Sequence, residues 1–306
     1  MFDISVIIPA HNPRREYLAR VLDALRDQTL DMNRWELLLV DNASSEPLSK
    51  LDLSWHPNAV HVQERSARLV LARLAGIKRS SGDIIIFVDD DNVLAANYLE
   101  QVLSVAAEFP FIGTWSGRVE PEFESPHLAP NREFYDLLAC RDVPNDLWSN
   151  DPNHHASTPW GTGLCIRREV ADSYVCEVGG NPARALLDPQ GRTMLYGGDT
   201  DMAYTGCRLG FGKGVFSRLR LTHLIPAARC SVAHLSRVAQ GKGYSEVLHG
   251  YVMSGVVPRQ ESRSLTAAIR QIRSVFQPRL KRSIALAYQR GRRNAFRDLA
   301  PSQDSQ

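Results

Sequence analysis

Short apolar runs alternate with amphipathic segments through the first 120 residues, and this order limits the chain to few folds. The apolar runs are residues 4–8, 37–40, 60–62 and 84–88. The segments with apolar side chains at helical spacing are residues 15–28, 66–79 and 96–109. Apolar runs without polar alternation are typical of strands covered on both faces. The sequence therefore predicts an α/β fold with a doubly wound, mostly parallel sheet.

The size and charge of the chain limit its function. Its 306 residues suffice for one large domain and a helical tail, and the net charge of +2 gives no reason to expect a nucleic-acid partner. Ten basic residues and no acidic residue lie between positions 263 and 297. They are Arg263, Arg270, Arg273, Arg279, Lys281, Arg282, Arg290, Arg292, Arg293 and Arg297. Such a segment is typical either of a solvated helical face or of contact with an anionic membrane.

The cysteines and the apolar segments bear on location. Five cysteines without CxxC spacing predict neither a disulfide framework nor a zinc site, and reduced thiols are typical of a cytoplasmic enzyme. The N-terminus opens on the predicted strand from Ile4 rather than on a signal peptide. No apolar run has the length of a membrane span. We expect the protein in the cytoplasm, either free or peripherally bound at the inner face of the cell membrane.

Polar side chains follow the predicted strands. Asn12, Asp41 and Asp89 each come just after a strand end, where ligands bind in doubly wound sheets. The last belongs to the triplet Asp89-Asp90-Asp91, whose like charges would repel without a cation. Carboxylate oxygens favour Mg²⁺ or Mn²⁺, which also bind phosphate oxygens. The alternative is a solvated acidic turn or a helix cap.

These motifs, taken in order, resemble the family 2 glycosyltransferases, which have the Rossmann-like GT-A fold. The resemblance covers about residues 3–225. The motifs that carry it are Ser5 to Asn12, Val40 to Ser44, Ala72-Arg73 with Gly76, Gly82-Asp83, and Phe87 to Asp91. Each motif is weak by itself, but their order and normal spacing make the set specific.

The resemblance implies roles on the donor side. Asp89 and Asp91 match the Asp-x-Asp motif that holds a metal ion on the nucleotide diphosphate, and Asp41 matches an acid that contacts the base. The other donor-side positions are Pro9, Ala10, Asn12, Arg73 and Asp90. The family often has a second acid where this chain has Asn42. From the residues alone, Asp41 could instead cap a turn and Arg73 could be an exposed helix charge.

A second polar cluster surrounds Asp199. The family has a Glu-Asp pair at a helix start, where the acid is the general base; here Gly198 replaces Glu and Asp199 matches Asp. A base is needed to remove the acceptor hydroxyl proton, and a helix N-terminus favours a carboxylate. Alternatively Asp199 is only the N-cap, with Asp201 as the competing base on the acceptor side.

Two further positions match the family. His223 resembles a third metal ligand, and its neutral imidazole would suit Mn²⁺ better than Mg²⁺. Trp160 and Gly161 resemble the acceptor-side loop, where an aromatic ring can stack on a sugar. The alternatives are a structural histidine and a core tryptophan. Trp115 is expected in the core.

The resemblance implies a GT-A domain over residues 1–228 and a basic helical C-terminal extension over residues 229–306. Within the domain, residues 1–118 would bind the nucleotide-sugar and residues 119–228 the acceptor. Residues 119–160, rich in proline, are expected to be surface loops and short helices.

The predicted function is metal-dependent, inverting transfer from a nucleotide-sugar, by default a UDP-sugar, to a saccharide or lipid-linked acceptor. Two alternatives remain. A non-catalytic binding module of the same descent would fit the loss of Glu at Gly198. A sugar nucleotidyltransferase would need a glycine-rich loop after the first strand, and residues 9–15 contain no glycine.

Overall fold

The computed structural model describes residues 2–187, 194–258 and 278–299, which build a nine-stranded sheet flanked by helices. The strands are β1 Ile4–Ala10, β2 Trp35–Asn42, β3 Ala59–Glu64, β4 Ile84–Phe87, β5 Asn92–Leu94, β6 Ile112–Phe123, β7 Leu147–Ser149, β8 Leu164–Arg167 and β9 Gly212–Ile225. The α-helices are α1 Arg15–Arg26, α2 Leu69–Arg79, α3 Tyr98–Glu108, α4 Arg168–Gly180, α5 Gly198–Arg208, α6 Val232–Ser254 and α7 Arg279–Leu299. Short 3-10 helices cover Met32–Arg34, Leu48–Lys50, Pro126–Leu128, Arg132–Leu138, His155–Ser157, Pro182–Leu186 and Ala227–Cys230.

Alternate residues of the central strands enter two separate cores. In β1, Val6 and Ile8 pack with α1 and α3, whereas Ile7 packs with α2 and α4. Successive side chains of a strand point to opposite faces, so an uninterrupted apolar run needs cover on both sides. This confirms the predicted α/β fold and explains why the central strands β1, β2 and β4 are buried throughout, without alternation of buried and exposed residues.

The sheet is parallel in its N-terminal half and mixed beyond it. The strand order is β3-β2-β1-β4-β8-β6-β9-β5, with β7 paired to β9. The first four strands are parallel, β8 runs antiparallel to both β4 and β6, and β5 runs antiparallel to β9. Because β8 enters the sheet where β4 leaves it, the loop before β8 lies beside the residues that follow β4.

One stretch differs from the prediction. The sequence favoured loops from residue 119 onward, but β6 continues to Phe123, paired with β9. Pro121 lies within this strand. It is tolerated because β8 pairs with β6 only at Thr114 and Trp115, which leaves one edge free of ladder hydrogen bonds at Pro121.

Two long helices form the described part of the C-terminal region. Gly243 of α6 and Gly291 of α7 lie against the backbone of the opposite helix, and Ala287 and Ala295 are also buried in α7. Small side chains let the two helix axes approach closely.

Three predicted basic-tail residues, Arg263, Arg270 and Arg273, lie outside the described residues. In the part of the chain that is described, no helix has the length and apolar content to span a bilayer, and the five cysteines carry free thiols.

Gly291→Ala should destabilise the protein, because a Cβ atom at this position would overlap the carbonyl oxygen of Gln240. Overpacking of this kind costs about 1–3 kcal/mol. The matched control is Gly179→Ala in α4, where a Cβ meets nothing within 4 Å. The control should be neutral or gain up to about 1 kcal/mol from helix propensity. Urea denaturation measures both, and equal stabilities would contradict the close helix contact.

Candidate functional site

A cleft of ≈ 770 Å³ opens beyond the carboxyl ends of β1 and β4. The N-terminal half of the chain lines it with Pro9, His11, Asn42, Arg73 and the acid triplet Asp89–Asp91. From the other side, Trp160, Asp199 and one face of α6 close it. Its size is that of a site for a cofactor-sized ligand. The ends of β1, β2 and β4 meet at this cleft, but of the three polar residues predicted to converge there, Asn12, Asp41 and Asp89, only Asp89 lines it.

The acid triplet lies in a turn. The N–H of Asn92 donates to the carbonyl oxygen of Asp89 at 3.0 Å, so the chain reverses instead of staying extended. Burial raises the pKa of Asp89 to about 6, against the opposing effect of Arg73. Burial together with the two neighbouring acids raises the pKa of Asp90 to about 7. Burial also acts on Asp91, but His223 and Arg229 outweigh it and hold the pKa of this carboxyl below its usual value.

Three side chains meet next to this turn. Asp91 Oδ2 lies 3.3 Å from His223 Nε2, and Arg229 Nη1 lies 3.0 Å from each of these atoms. The contact follows from strand pairing, because Asn92 of β5 is opposite His223 of β9 and the N–H of Leu224 donates to the carbonyl oxygen of Asp91. A pairing between distant parts of the sequence thus joins the second acid of the motif to the predicted histidine.

The predicted metal set of Asp89, Asp91 and His223 is only partly assembled. Within residues 2–187, 194–258 and 278–299, no three acid, histidine or cysteine side chains form a group that could hold a metal ion. Asp91 and His223 nevertheless converge, and atoms 3.3 Å apart can both bind one ion at about 2.1 Å. Mg²⁺ commonly takes one or two protein ligands and completes its shell with phosphate oxygens and water. This pair therefore fits an ion that a diphosphate shares.

Some predicted donor residues shape the loops rather than line the cleft. Asp41 accepts the N–H groups of Ser44 at 2.9 Å and Leu48 at 3.1 Å, so it caps the turn after β2, the alternative left open by the sequence. Asn12, at φ 49°, accepts the N–H and hydroxyl of Ser45. Neither these two residues nor Ala10 is among the residues that line the cleft.

Their neighbours line the cleft instead. His11 Nδ1 lies 2.7 Å from the carbonyl oxygen of Asn42, and both side chains border the cleft beside Pro9. Sequence reasoning did not assign His11, and it noted Asn42 only as a departure from the family. Consecutive side chains at a strand end point to opposite sides of the sheet. This alternation is the sequence signal that could have directed attention from Ala10 and Asp41 to their neighbours His11 and Asn42.

Arg73 is buried, so it is not an exposed helix charge. Its guanidinium lies 5.5 Å from the centre of the Phe87 ring, and a Cβ on Gly161 would come within 3.0 Å of Nη2. Trp160 precedes Gly161 in this loop. The guanidinium of Arg141 lies 5.0 Å and the ammonium of Lys242 lies 5.7 Å from the centre of the Trp160 ring. Cations over an aromatic ring fix its orientation.

Asp199 stands in the first turn of α5 and faces the cleft. Its Oδ2 accepts the N–H of Gly161 at 2.8 Å, and Oδ1 accepts the N–H of Thr200 at 2.8 Å. The N-cap of the helix is Gly197, at φ 133°, so Asp199 is not the cap. A carboxylate at this end of a helix is favoured by the helix dipole.

Asp201, predicted on the acceptor side, is not brought into the cleft. It is fully buried and accepts two hydrogen bonds from Arg184, at 2.8 and 2.6 Å. Arg184 also pairs with Glu177 and donates to Thr205 at 2.9 Å. Two residues along a helix differ by about 200° in direction, so Asp199 and Asp201 face different surroundings.

Helix α6 supplies a wall of the cleft that the sequence did not predict. The lining residues on this helix are His234, Val238, Lys242, Ser245, Glu246 and His249. Most of them recur three or four positions apart, on one face of the helix. The pattern is visible in the sequence, but only packing shows which face meets the site. The region predicted as an extension thus contributes to the cleft.

Asp201→Asn should cost about 3 kcal/mol, because breaking a buried ion pair leaves Arg184 partly uncompensated and only Glu177 remains. Asp199→Asn should cost less than about 1 kcal/mol, since its partly exposed side chain accepts two backbone N–H groups and forms no salt bridge with the described residues. Chemical denaturation of the two variants measures the difference. Equal losses would show that the burial of Asp201 has been misassigned.

The chain matches the family described as glycosyl transferase family 2 over residues 5–174. It is 30% identical over 109 residues to an uncharacterized glycosyltransferase of Haemophilus influenzae, covering 36% of each chain. It is also 30% identical over 105 residues to glycosyltransferase AglE of Haloferax volcanii, covering 33% of this chain and 34% of AglE. The alignment thus spans about a third of the length of these relatives.

Two solved structures share the fold over nearly the whole chain. Mannosyltransferase PcManGT from Pyrobaculum calidifontis, in complex with GDP-Man and Mn²⁺, superposes with a TM-score of 0.57 at 17% identity, covering 97% of this chain and 88% of that one. Residues 1–349 of S. aureus TarS superpose with a TM-score of 0.50 at 15% identity, covering 97% and 92%. These likenesses confirm the predicted GT-A fold.

Proposed function

Because the chain belongs to glycosyltransferase family 2, we propose that it transfers a sugar from a nucleotide-diphosphate sugar to a saccharide or lipid-linked acceptor. The observation that carries this proposal is that one cleft holds both a metal-suited pair, Asp91 with His223, and a cleft-facing carboxylate, Asp199. Such a cleft has room for a nucleotide-sugar and for the end of an acceptor.

On the donor side, Asp91 and His223 would hold Mn²⁺ or Mg²⁺. A bound ion of this kind offsets the negative charge that develops on the departing diphosphate. Arg73 adds a buried cation toward the diphosphate. His11 and Asn42 border the space for the base, while Asp41 holds the turn that positions Asn42. Uridine is the expected base from the family.

On the acceptor side, Asp199 is the general base. Its Oδ2 is fixed by the N–H of Gly161, which points the carboxylate across the cleft toward an acceptor hydroxyl. The carboxylate takes the hydroxyl proton as the oxygen attacks the anomeric carbon. Attack from the side opposite the diphosphate inverts the configuration. The ring of Trp160, held by Arg141 and Lys242, offers a plane on which a sugar can stack.

Two other functions fit these observations less well. A binding module without activity would not need a carboxylate such as Asp199 fixed on the cleft. A sugar nucleotidyltransferase would need a phosphate-binding loop after β1. There, Arg14 instead pairs with Glu124 at 3.1 Å, and Asn12 is tied to Ser45.

Asp199→Asn should lower kcat about 10²–10⁴-fold, the usual contribution of a general base. Donor affinity should stay within about twofold, since the variant leaves the diphosphate side unchanged and twofold is only about 0.4 kcal/mol. Turnover of the donor and calorimetric binding with Mn²⁺ measure the two effects. A thermal-shift panel of nucleotide-sugars first selects the donor, because a bound ligand raises apparent stability.

The matched control for this test is Asp23→Asn on the exposed face of α1, where the acid pairs with Arg26 at 3.5 Å. It should retain full turnover. Full activity in Asp199→Asn would refute the assignment of the base. No turnover of any nucleotide-sugar by the unaltered protein, despite binding, would favour the binding module.

For the acceptor side we also propose contact with an anionic membrane through α7. Five arginines and Leu286 recur along one exposed face of the helix, and the opposite face packs on α6. These arginines are Arg279, Arg282, Arg290, Arg293 and Arg297. A row of cations around an exposed leucine suits an anionic bilayer surface and would bring the cleft to a lipid-linked acceptor.

The triple change Arg282→Ala, Arg290→Ala and Arg293→Ala should weaken binding to phosphatidylglycerol-containing vesicles about 100-fold, at about 1 kcal/mol for each charge. The control removes Lys281 and Arg292, which pair with Glu133 and Glu246, and should change binding much less. Vesicle sedimentation measures both. Unchanged binding in the triple variant would exclude this surface.

A further inference from the structure

We propose that the guanidinium of Arg229 occupies the position of the divalent ion until a metal–nucleotide complex displaces this guanidinium, so that metal and nucleotide bind cooperatively. This inference rests on the proposed function and extends it to a residue that neither the sequence motifs nor the family match assigns. It concerns the order in which the site fills.

Arg229 contacts both protein atoms that the ion would bind. Its Nη1 lies 3.0 Å from Asp91 Oδ2 and 3.0 Å from His223 Nε2. Those two atoms are 3.3 Å apart, so the guanidinium nitrogen caps both of them. An ion bonded to the pair at about 2.1 Å would overlap this nitrogen. Arg229 and the ion therefore exclude each other at this point.

The chemistry of the three groups supports the same conclusion. A guanidinium has donors and no acceptor, so a hydrogen bond from Arg229 to His223 uses the lone pair of His223 Nε2. A metal ion bound to this nitrogen would need the same lone pair. The other ring nitrogen, Nδ1, lies 4.0 Å from Cys140 Sγ. Arg229 and an ion would therefore compete for the same acceptor atom of His223.

Charge balance explains why a cation belongs here. The side chain of Asp91 is only 9% exposed, next to Asp89 and Asp90 in the same turn. A buried carboxylate without a cation is costly, so Arg229 stabilises the acids while the cleft is empty. Displacement becomes favourable only if the incoming ion compensates Asp91 and Arg229 finds a new anionic partner.

The diphosphate of a nucleotide would be that partner. Arg229 lies on the short 3-10 helix between β9 and α6, its side chain is 39% exposed, and it lines the cleft. Guanidinium groups bind phosphate oxygens with paired hydrogen bonds. Free metal would compensate Asp91 but leave Arg229 without an anionic partner, whereas a metal–nucleotide complex provides that partner as well. Positive coupling between metal and nucleotide follows.

The test measures the affinity of the full chain for Mn²⁺ by electron paramagnetic resonance. It is carried out first without nucleotide and then with UDP or GDP. Without nucleotide, Arg229→Ala should bind Mn²⁺ at least about tenfold more tightly than the unaltered protein, within the usual range of coupling between sites. With nucleotide this advantage should shrink or reverse, because the variant also loses a diphosphate contact. Equal Mn²⁺ affinities without nucleotide would overturn the proposal.

Three further variants secure the result. Adding Asp91→Ala to Arg229→Ala should abolish the gained Mn²⁺ binding, and retention would overturn the proposal by placing the ion elsewhere. Arg20→Ala, which removes an exposed ion pair with Glu122, should leave Mn²⁺ binding unchanged. A gain in Mn²⁺ affinity in this variant would overturn the proposal, because the gain would then be a nonspecific effect of removing a positive charge. Arg229→Gln replaces Arg229→Ala if the latter fails to fold, with the same expected gain.

The failure of this inference is distinguishable from failure of the proposed function. If the unaltered protein turns over a nucleotide-sugar but Arg229→Ala gains no Mn²⁺ affinity, only the role of Arg229 is refuted. If the variant gains Mn²⁺ affinity but neither protein binds nor turns over a nucleotide-sugar, Arg229 does compete with the ion, while its displacement by a metal–nucleotide complex and the transferase function are both refuted.

Discussion

Strand β4 lies between β1 and β8 and is buried on both faces, and the cleft depends on how this strand ends. Polar groups can appear only where the chain leaves the sheet, which places three acids directly after Val88, the residue that follows β4. Because β8 is antiparallel to β4, Leu164 pairs with Phe87 and the loop with Trp160 and Gly161 arrives at the same edge. Donor-side and acceptor-side groups thus meet through one strand pairing.

A second strand pairing supplies the charge compensation that the acids require. The contact of β5 with β9 sets His223 beside Asp91, and the turn after β9 returns Arg229 to the same point. Arg73 approaches from α2 on the other side. Two arginines from separate elements, Arg229 and Arg73, therefore act on these acids. An incoming ion must compete with Arg229, which connects the electrostatics of the cleft to the order of ligand binding.

The C-terminal helices connect the site with the surface. One face of α6 lines the cleft through Lys242 and His249, while on another face Gly243 lies against the backbone of Tyr288 in α7. Because α7 packs closely on α6, its outer arginines keep a fixed relation to the wall of the cleft. Contact of that surface with a membrane would hold the acceptor side of the cleft near the lipid.

The sequence alone determined the α/β fold, the acids after the fourth strand and the exposed start of the helix at Asp199, because these follow from local periodicity and from motif order. Only the tertiary structure decided that Asp41 caps a turn, that Asp201 is buried in an ion pair and that Arg229 caps Asp91. The reason is physical. Local patterns fix which segments are strands and helices, but the facing of a residue at a strand end and the partner of a buried charge depend on pairings between residues far apart in the chain.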